Sequence, residues 1–391
     1  MSDVSDGALV WRGDEILWAG PASRVPGAHG GEDVFDAGGR LVIPGLIDCH
    51  THLAFGGWRS AEFADRIRGR SYLEIAAAGG GIASTVRATR RMDDGALRAR
   101  ARDFADEMLA AGVCTVECKS GYGLRLDTEL ALLRAYRALA DEGPQRIVST
   151  FLGAHVVPPE YRDDREAYVT LVVEEMIPAV AGEGLAEFCD VFVEEGAFSA
   201  DEARRVLGAA ADHGMRAKLH VDQLEGGGGA ELAAELGAVS ADHLEFASPA
   251  GIAAMAEAGV VGVTLPIATL VLNQDPPPAR EMIDAGVAVA VATDFNPGTA
   301  PSHDLRLALM LACNRQRMTP AEALKGATRY AARAIGRESD LGSLEPGKAA
   351  DFVVLDSPDL DHWMYHYRPE PSVATVVGGT VCAGELTAAD G

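Results

Sequence analysis

From Val42 onward the chain alternates short apolar runs with longer amphipathic stretches. This repetition limits the architecture more than any other feature. Eight strand-like runs can be traced, Val42–Ile47, Val113–Glu117, Arg146–Leu152, Cys189–Val193, Arg216–Leu219, Ala238–Ala241, Val260–Leu265 and Val287–Ala292. Helical patterning fills the gaps at Leu97–Ala111, Thr128–Asp141, Ala200–His213, Ala230–Leu236, Pro249–Ala258 and Ala279–Ala285. Ser199 precedes one of these helices as an N-cap and Gly214 follows it as a stop. Near-continuous apolar strands separated by helices are the mark of a parallel sheet covered on its outer face. Eight such units predict an α/β fold, a (β/α)8 TIM-like barrel with its chemistry at the C-terminal ends of the strands.

The flanks read differently. Ala8–Arg12, Glu15–Trp18 and Val34–Asp36 are short β-like runs before the barrel. A helix around Thr319–Ile335 is followed by β character at Asp351–Leu355, Val373–Val377 and Thr380–Ala383. Both ends are expected to build one small β-sandwich, residues 1–47 with 340–391, around a barrel at 48–339. Glu345-Pro346-Gly347-Lys348 supplies the turn leading back into it.

Length and composition suit this plan. The 391 residues hold a barrel of roughly 250 residues plus a smaller unit. With 48% hydrophobic and 24% charged residues, a large core is expected and wholesale disorder is not. A net charge of −24 argues against nucleic acid or an anionic membrane as partner, and an anionic substrate would need its own local cation. The six cysteines contain no Cys-x-x-Cys and several lie in apolar runs, which favours reduced thiols and a cytoplasmic setting. The acidic stretch from Met1 to Val10 does not read as a signal peptide, and no run reaches the length of a membrane span.

The polar residues that end the strands carry the chemistry. His50-Thr51-His52 closes the first, and in a strand residues two apart share a face, so both imidazoles can converge on one cation. His155, His220 and His243 follow strands three, five and six, and Asp294 follows strand eight. Five of the ten histidines thus stand at strand ends. His50, His52, His220 and Asp294 form the expected ligand set, suited to zinc or iron with a position left for water. A hydrolytic metal lowers the pKa of such a water. Asp294 has an alternative role, capping a helix after strand eight. Strand four, Cys189 to Glu195, ends without a lysine to bridge a second ion, so one metal per subunit is expected.

Three other features read more plainly. Lys119 ends strand two and is either catalytic or paired with Glu117 or Asp294. Gly79-Gly80-Gly81 and Gly226–Gly229 lack the spacing of phosphate loops and read as flexible active-site loops. The arginines of Arg87–Arg91 are taken as a solvated helix face.

Pro44-Gly45-Leu46-Ile47-Asp48-Cys49-His50-Thr51-His52 resembles the opening motif of the amidohydrolase superfamily. Four stretches narrow the resemblance to its members that open an imidazolone ring in histidine degradation. They are Phe55-Gly56-Gly57-Trp58-Arg59; Ser71-Tyr72-Leu73-Glu74-Ile75 with Gly79-Gly80-Gly81-Ile82; Lys119-Ser120-Gly121-Tyr122-Gly123-Leu124; and Ala292-Thr293-Asp294-Phe295-Asn296-Pro297-Gly298-Thr299. The resemblance implies that the ligand set above holds zinc or iron. It also implies that Arg59, Tyr122, His155 and Thr299 hold the substrate, with Asn296 and Gly298 near the product's end. An arginine fork suits a propionate carboxylate, and Tyr122 and His155 suit an imidazolone.

The implied reaction is hydrolysis of a cyclic amide C–N bond, with His243 steadying developing charge and Asp294 shuttling the proton. One position departs from the family's pattern. Where a glutamate commonly stands three residues after the strand-five histidine, this chain has Gln223, which cannot accept a proton as a base. Gln223 is therefore expected to contact substrate, with its catalytic role open. Asp222, its neighbour, is expected on the opposite face. Another amidohydrolase activity, such as a deaminase, is the alternative, and a metal-free oligomeric scaffold is a weaker one. A homodimer is the expected assembly.

Overall fold

The computed structural model describes residues 4–29, 33–71, 74–75, 78–368 and 372–388. Tyr72 and Leu73 of the Ser71–Ile75 motif lie outside the described residues. Strands β1 (Gly7–Arg12) and β2 (Glu15–Pro21) form an antiparallel hairpin. Next come β3 (Leu41–Pro44) and β4 (Leu46–Thr51), separated by one residue yet placed in different sheets. The apolar run Val42–Ile47, expected as one strand, is thus two. Gly45 is the switch point: a Cβ there would lie 2.6 Å from the Cys114 sulfur and 3.1 Å from Asp351 Cβ, so only glycine fits between the sheets.

After β4 come β5 (Val113–Lys119), β6 (Arg146–Ala154), β7 (Phe188–Val193), β8 (Arg216–Val221), β9 (Ser240–His243), β10 (Val261–Thr264) and β11 (Val289–Val291). With β4 they make one eight-stranded sheet in sequence order, every pair parallel. The ends meet through a parallel bridge between Thr51 and Phe295 and a hydrogen bond from the His52 N–H to the Phe295 carbonyl at 2.9 Å. The sheet is therefore the expected (β/α)8 barrel, closed by a last strand only three residues long. Asp48 pins that closure, accepting from the Thr293 hydroxyl at 2.6 Å.

The six expected helices are present, Pro249–Ala258 with the expected bounds and the others with ends shifted by at most three residues. The helix Ala200–Asp212 opens on a full capping box between Ser199 and Glu202, and Gly214 adopts φ +81° just past its end. Helices Ser60–Ile67, Ile82–Thr89, Pro266–Leu272 and Leu305–Gln316, and a long stretch from Arg165 to Gly182, add to the outer layer. The helix expected around Thr319–Ile335 is two, Pro320–Gly326 and Arg329–Ala334, because Thr328 leaves helical geometry at ψ −93°. Among the described residues no helix is long and apolar enough to cross a membrane.

Strands β12 (Phe352–Leu355), β13 (Ala374–Val377) and β14 (Thr380–Gly384) join β3 in an antiparallel sheet ordered β14-β13-β12-β3. Phe352, Val354, Ala374 and Val376 face Leu9 and Trp11 of the β1–β2 hairpin, with the Trp11 and Phe352 rings 5.0 Å apart. Both flanks of the chain thus build one small β-sandwich. Val34–Asp36, expected as a strand, contributes only a single bridge from Phe35 to Ala388.

Candidate active site

The barrel brings His50, His52, His155, His220, His243 and Asp294 together at the C-terminal ends of its strands, all buried. Ring centroids of His50 lie 5.5 Å from His52, 4.5 Å from His220 and 5.8 Å from His243. His155 stacks on His52 at 5.3 Å, and Tyr122 sits 5.4 Å from both. One Asp294 oxygen is 3.4 Å from His50 Nε2 and 3.6 Å from His52 Nε2. No helix starts at Asp294, so the capping alternative does not hold. Asp294 and His243 both take positive φ, +57° and +82°, a strained geometry for non-glycine residues that clusters at functional sites.

Two imidazoles are oriented from behind. Asp242 Oδ2 lies 2.6 Å from His50 Nδ1, and Asp190 Oδ1 lies 3.0 Å from His220 Nδ1. A carboxylate only accepts, so each Nδ1 carries the proton and each Nε2 presents a lone pair. Both Nε2 atoms are buried without a hydrogen-bond partner. One atom each from His50, His52 and Asp294 falls within 4.8 Å of the others, as does one each from His50, His220 and His243. Burial pushes His50, His52 and His243 far below the usual imidazole range and His155 down to about 3, so all four are neutral. Burial likewise pushes the Asp294 carboxyl well above the usual carboxylate range. Neutral imidazoles with free lone pairs around an acid that a cation would ionise are a donor set suited to zinc or iron.

Asp190 and Asp242 were not singled out from sequence, although Asp242 directly precedes His243. Lys119 lies beneath them. Its ammonium meets Asp190 Oδ2 at 2.8 Å, Glu117 Oε1 at 3.0 Å and Asp242 Oδ2 at 3.4 Å. The expected pairing with Glu117 is present, whereas Asp294 is replaced by two other carboxylates. Burial would raise Asp190, but His220 and Lys119 hold it far below the usual range.

The ligand pocket is built by loops. Glu129 accepts from the N–H groups of Gly121, Gly123 and Leu124 at 3.0, 2.8 and 2.7 Å, holding the loop that carries Tyr122. Arg90 grips the same loop through the Gly123 and Leu124 carbonyls and pairs with Glu160 at 2.8 Å. At this arginine the expectation of a solvated helix face fails. His155 Nδ1 lies 3.0 Å from the Gly121 carbonyl.

Arg59 is only 6% exposed, yet its Nε and Nη1 have no hydrogen-bond partner, and the nearest carboxylate, Glu62, stands 4.0 Å from Nη1. Its Nη2 reaches Asn296 Oδ1 at 3.4 Å. Asn296 also accepts from the Gly298 and Thr299 N–H groups, both at 2.8 Å, and donates to the Asp294 carbonyl at 2.7 Å. Asn296, Gly298 and Thr299 thus form a self-bonded turn linking Asp294 to Arg59. The Gln223 N–H donates to Glu194 Oε2 at 3.0 Å and its carbonyl accepts from Gln274 at 3.4 Å. Asp222 turns away, as expected, and accepts from Gly227, Gly229 and Ala230 N–H groups. The Gly226–Gly229 loop is therefore tethered to that carboxylate.

A model of the Amidohydrolase family matches residues 41–382. An imidazolonepropionase of Geobacillus thermodenitrificans is 48% identical over 98% of this chain and 91% of its own length. One from Solibacter usitatus is 49% identical over 96% and 90%. The chain belongs to the imidazolonepropionase family of amidohydrolases. Among solved structures, the 5-methylcytosine deaminase of Klebsiella pneumoniae superposes with a TM-score of 0.76 at 17% identity, covering 98% of this chain and 95% of that one. A triazine hydrolase variant gives 0.75 at 20% identity, covering 98% and 92%. Those two likenesses show the fold alone, one that this imidazolonepropionase-family chain shares with a deaminase and a triazine hydrolase.

Proposed function

We propose that this chain hydrolyses the cyclic amide C–N bond of 4-imidazolone-5-propanoate to N-formimidoyl-L-glutamate, in histidine degradation. The observation that carries the substrate is Arg59, a buried guanidinium with two unpartnered nitrogens beside the imidazole cluster. Burying such a cation with only Glu62 at 4.0 Å and no hydrogen bond to either nitrogen is costly, and a propionate carboxylate would satisfy it bidentately. Curated relatives named imidazolonepropionase over nearly the whole chain support the same reading.

In this reading His50, His52, His220 and Asp294 hold one zinc or iron ion per subunit. The ion would acidify a water and polarise the ring carbonyl. Arg59 takes the propionate, and Tyr122, His155 and Gln223 line the ring. The Asn296–Thr299 turn, through Gly298, keeps Arg59 in place. Water adds to the ring carbonyl carbon and Asp294 accepts its proton. His243 steadies the developing charge. The ring C–N bond then breaks, and Asp294 returns the proton to the leaving nitrogen. We assign this chemistry to the barrel, 48–339, with 1–47 and 340–391 as the small unit, and infer a cytoplasmic homodimer.

The test is absorbance loss of freshly made 4-imidazolone-5-propanoate, before and after chelation, against an enzyme-free blank. Chelator-sensitive loss with formiminoglutamate appearing is expected. Turnover of a purine or pyrimidine with none of the imidazolone would replace this reading by a deaminase.

A further inference from the structure

We propose that Lys119 is a positioning residue for the metal centre, holding the two carboxylates that orient His50 and His220. The inference rests on the reading of those imidazoles as ligands. Lys119 is the last residue of β5, and its buried ammonium reaches Asp190 of β7 and Asp242 of β9. Asp190 gives one oxygen to that ammonium and the other to His220. Asp242 shares Oδ2 between the ammonium and His50, while Oδ1 accepts from Ser240 at 2.7 Å. A single cation therefore fixes both carboxylates, and through them the rotation and tautomer of two imidazoles on different strands.

The energetics single this cluster out. Lys119, Glu117, Asp190, Asp242 and Lys218 all have fully buried side chains. The interior of an eight-stranded barrel is ordinarily filled by branched apolar side chains. A buried ionic cluster is commonly no more stable than apolar packing of the same volume. Its placement directly under two imidazoles whose outer nitrogens are bare argues for orientation as its role. Asp190, His220 and Asp242 also form a cation-sized group of their own, and the Lys119 ammonium already occupies its carboxylate side.

The experiment compares zinc affinity, by competition with a chromogenic chelator, and the visible spectrum of the cobalt(II)-loaded protein. Wild type is set against Lys119→Met and the charge-compensated Glu117→Gln/Lys119→Met, with folding checked by circular dichroism. Loss of an orienting contact behind a ligand typically weakens metal affinity by about 10–100-fold, so a fall of that size with altered cobalt bands is expected in both. Should the single variant fail to fold, the double variant carries the test. Folded variants with wild-type zinc affinity and an unchanged cobalt spectrum would overturn the role of Lys119. A wild-type protein that binds neither ion would overturn the metal assignment beneath it.

Discussion

The Asp294 N–H donates to the His50 carbonyl at 3.0 Å, joining the residue after the last barrel strand to the first strand. Closure of the barrel and assembly of the site are therefore the same event. Because that bond uses main-chain atoms, Asp294→Asn leaves it in place. We expect an unchanged circular dichroism spectrum and a fall in kcat/KM of at least about 10³-fold, from the lost ligand and proton carrier. A folded variant with near-normal turnover would remove Asp294 from the chemistry.

Arg59 and Gly298 make a linked prediction. A Cβ on residue 298 would lie 1.5 Å from Arg59 Nη2, so Gly298→Ala must displace the guanidinium. Both Gly298→Ala and Arg59→Lys should raise KM for the imidazolone propanoate by about 10–100-fold, the worth of a charge-assisted bidentate contact, with a smaller change in kcat. Steady-state kinetics on both variants checks this, and an unaltered KM in both detaches Arg59 from the propionate.

Glu245 gives a pH dependence. Burial pushes its carboxyl from an ordinary 4.5 up to about 8, with the Glu194 charge adding to the effect. Below about 4.5 folded and unfolded chains both hold the proton. Between there and about 8 the unfolded chain ionises while the folded one does not, so stability falls as pH rises through this window. Glu245→Gln stays neutral and should flatten that fall, by up to a few kcal/mol at about 1.4 kcal/mol per unit. Urea midpoints at pH 5 and pH 9 decide it: parallel declines in both proteins contradict the shift.

Gly45→Ala tests the sheet switch. The added methyl meets the Cys114 sulfur and Cβ at 2.6 and 2.9 Å, and overpacking of this kind costs about 1–3 kcal/mol. Cys114→Ala removes the sulfur, the nearest obstacle, while its Cβ and that of Asp351 remain at 2.9 and 3.1 Å, so Gly45→Ala should cost less in that background without becoming free. Thermal unfolding of the four proteins in the cycle measures the difference, and equal costs in both backgrounds would show that the Cys114 sulfur is not the obstruction.

What could be read in advance follows from locality. His50 and His52 converge from the end of one strand because alternation is a short-range rule, and His155, His220 and His243 each end their own apolar run. The switch at Gly45 had a local signal, the Pro44-Gly45 pair inside Val42–Ile47, but the apolar residues on either side outweighed it, and the change of sheet depends on Cys114 and Asp351, far along the chain. Asp190 and Asp242 look like ordinary polar residues inside strands. Their role exists only once β5, β7 and β9 surround one lysine. Arg90 escaped for a similar reason, since a helix face reads as solvated unless the loop that packs on it is known. Asp222 does turn away, but not by alternation: β8 ends at Val221, and a backbone φ of +50° aims the Asp222 carboxylate at the N–H groups of the glycine loop that follows.

The pairing of β3 with β12 has a temporal meaning. Leu41 to Pro44 emerge from the ribosome early, yet their partners Phe352 to Leu355 emerge only after every barrel strand has been made. During synthesis the β3 edge is an open row of peptide groups next to the strand that leads to the first histidines of the site, His50 and His52. Its strand partner is the chain's own late segment, so the growing chain is exposed to mispairing at that edge until translation is nearly complete.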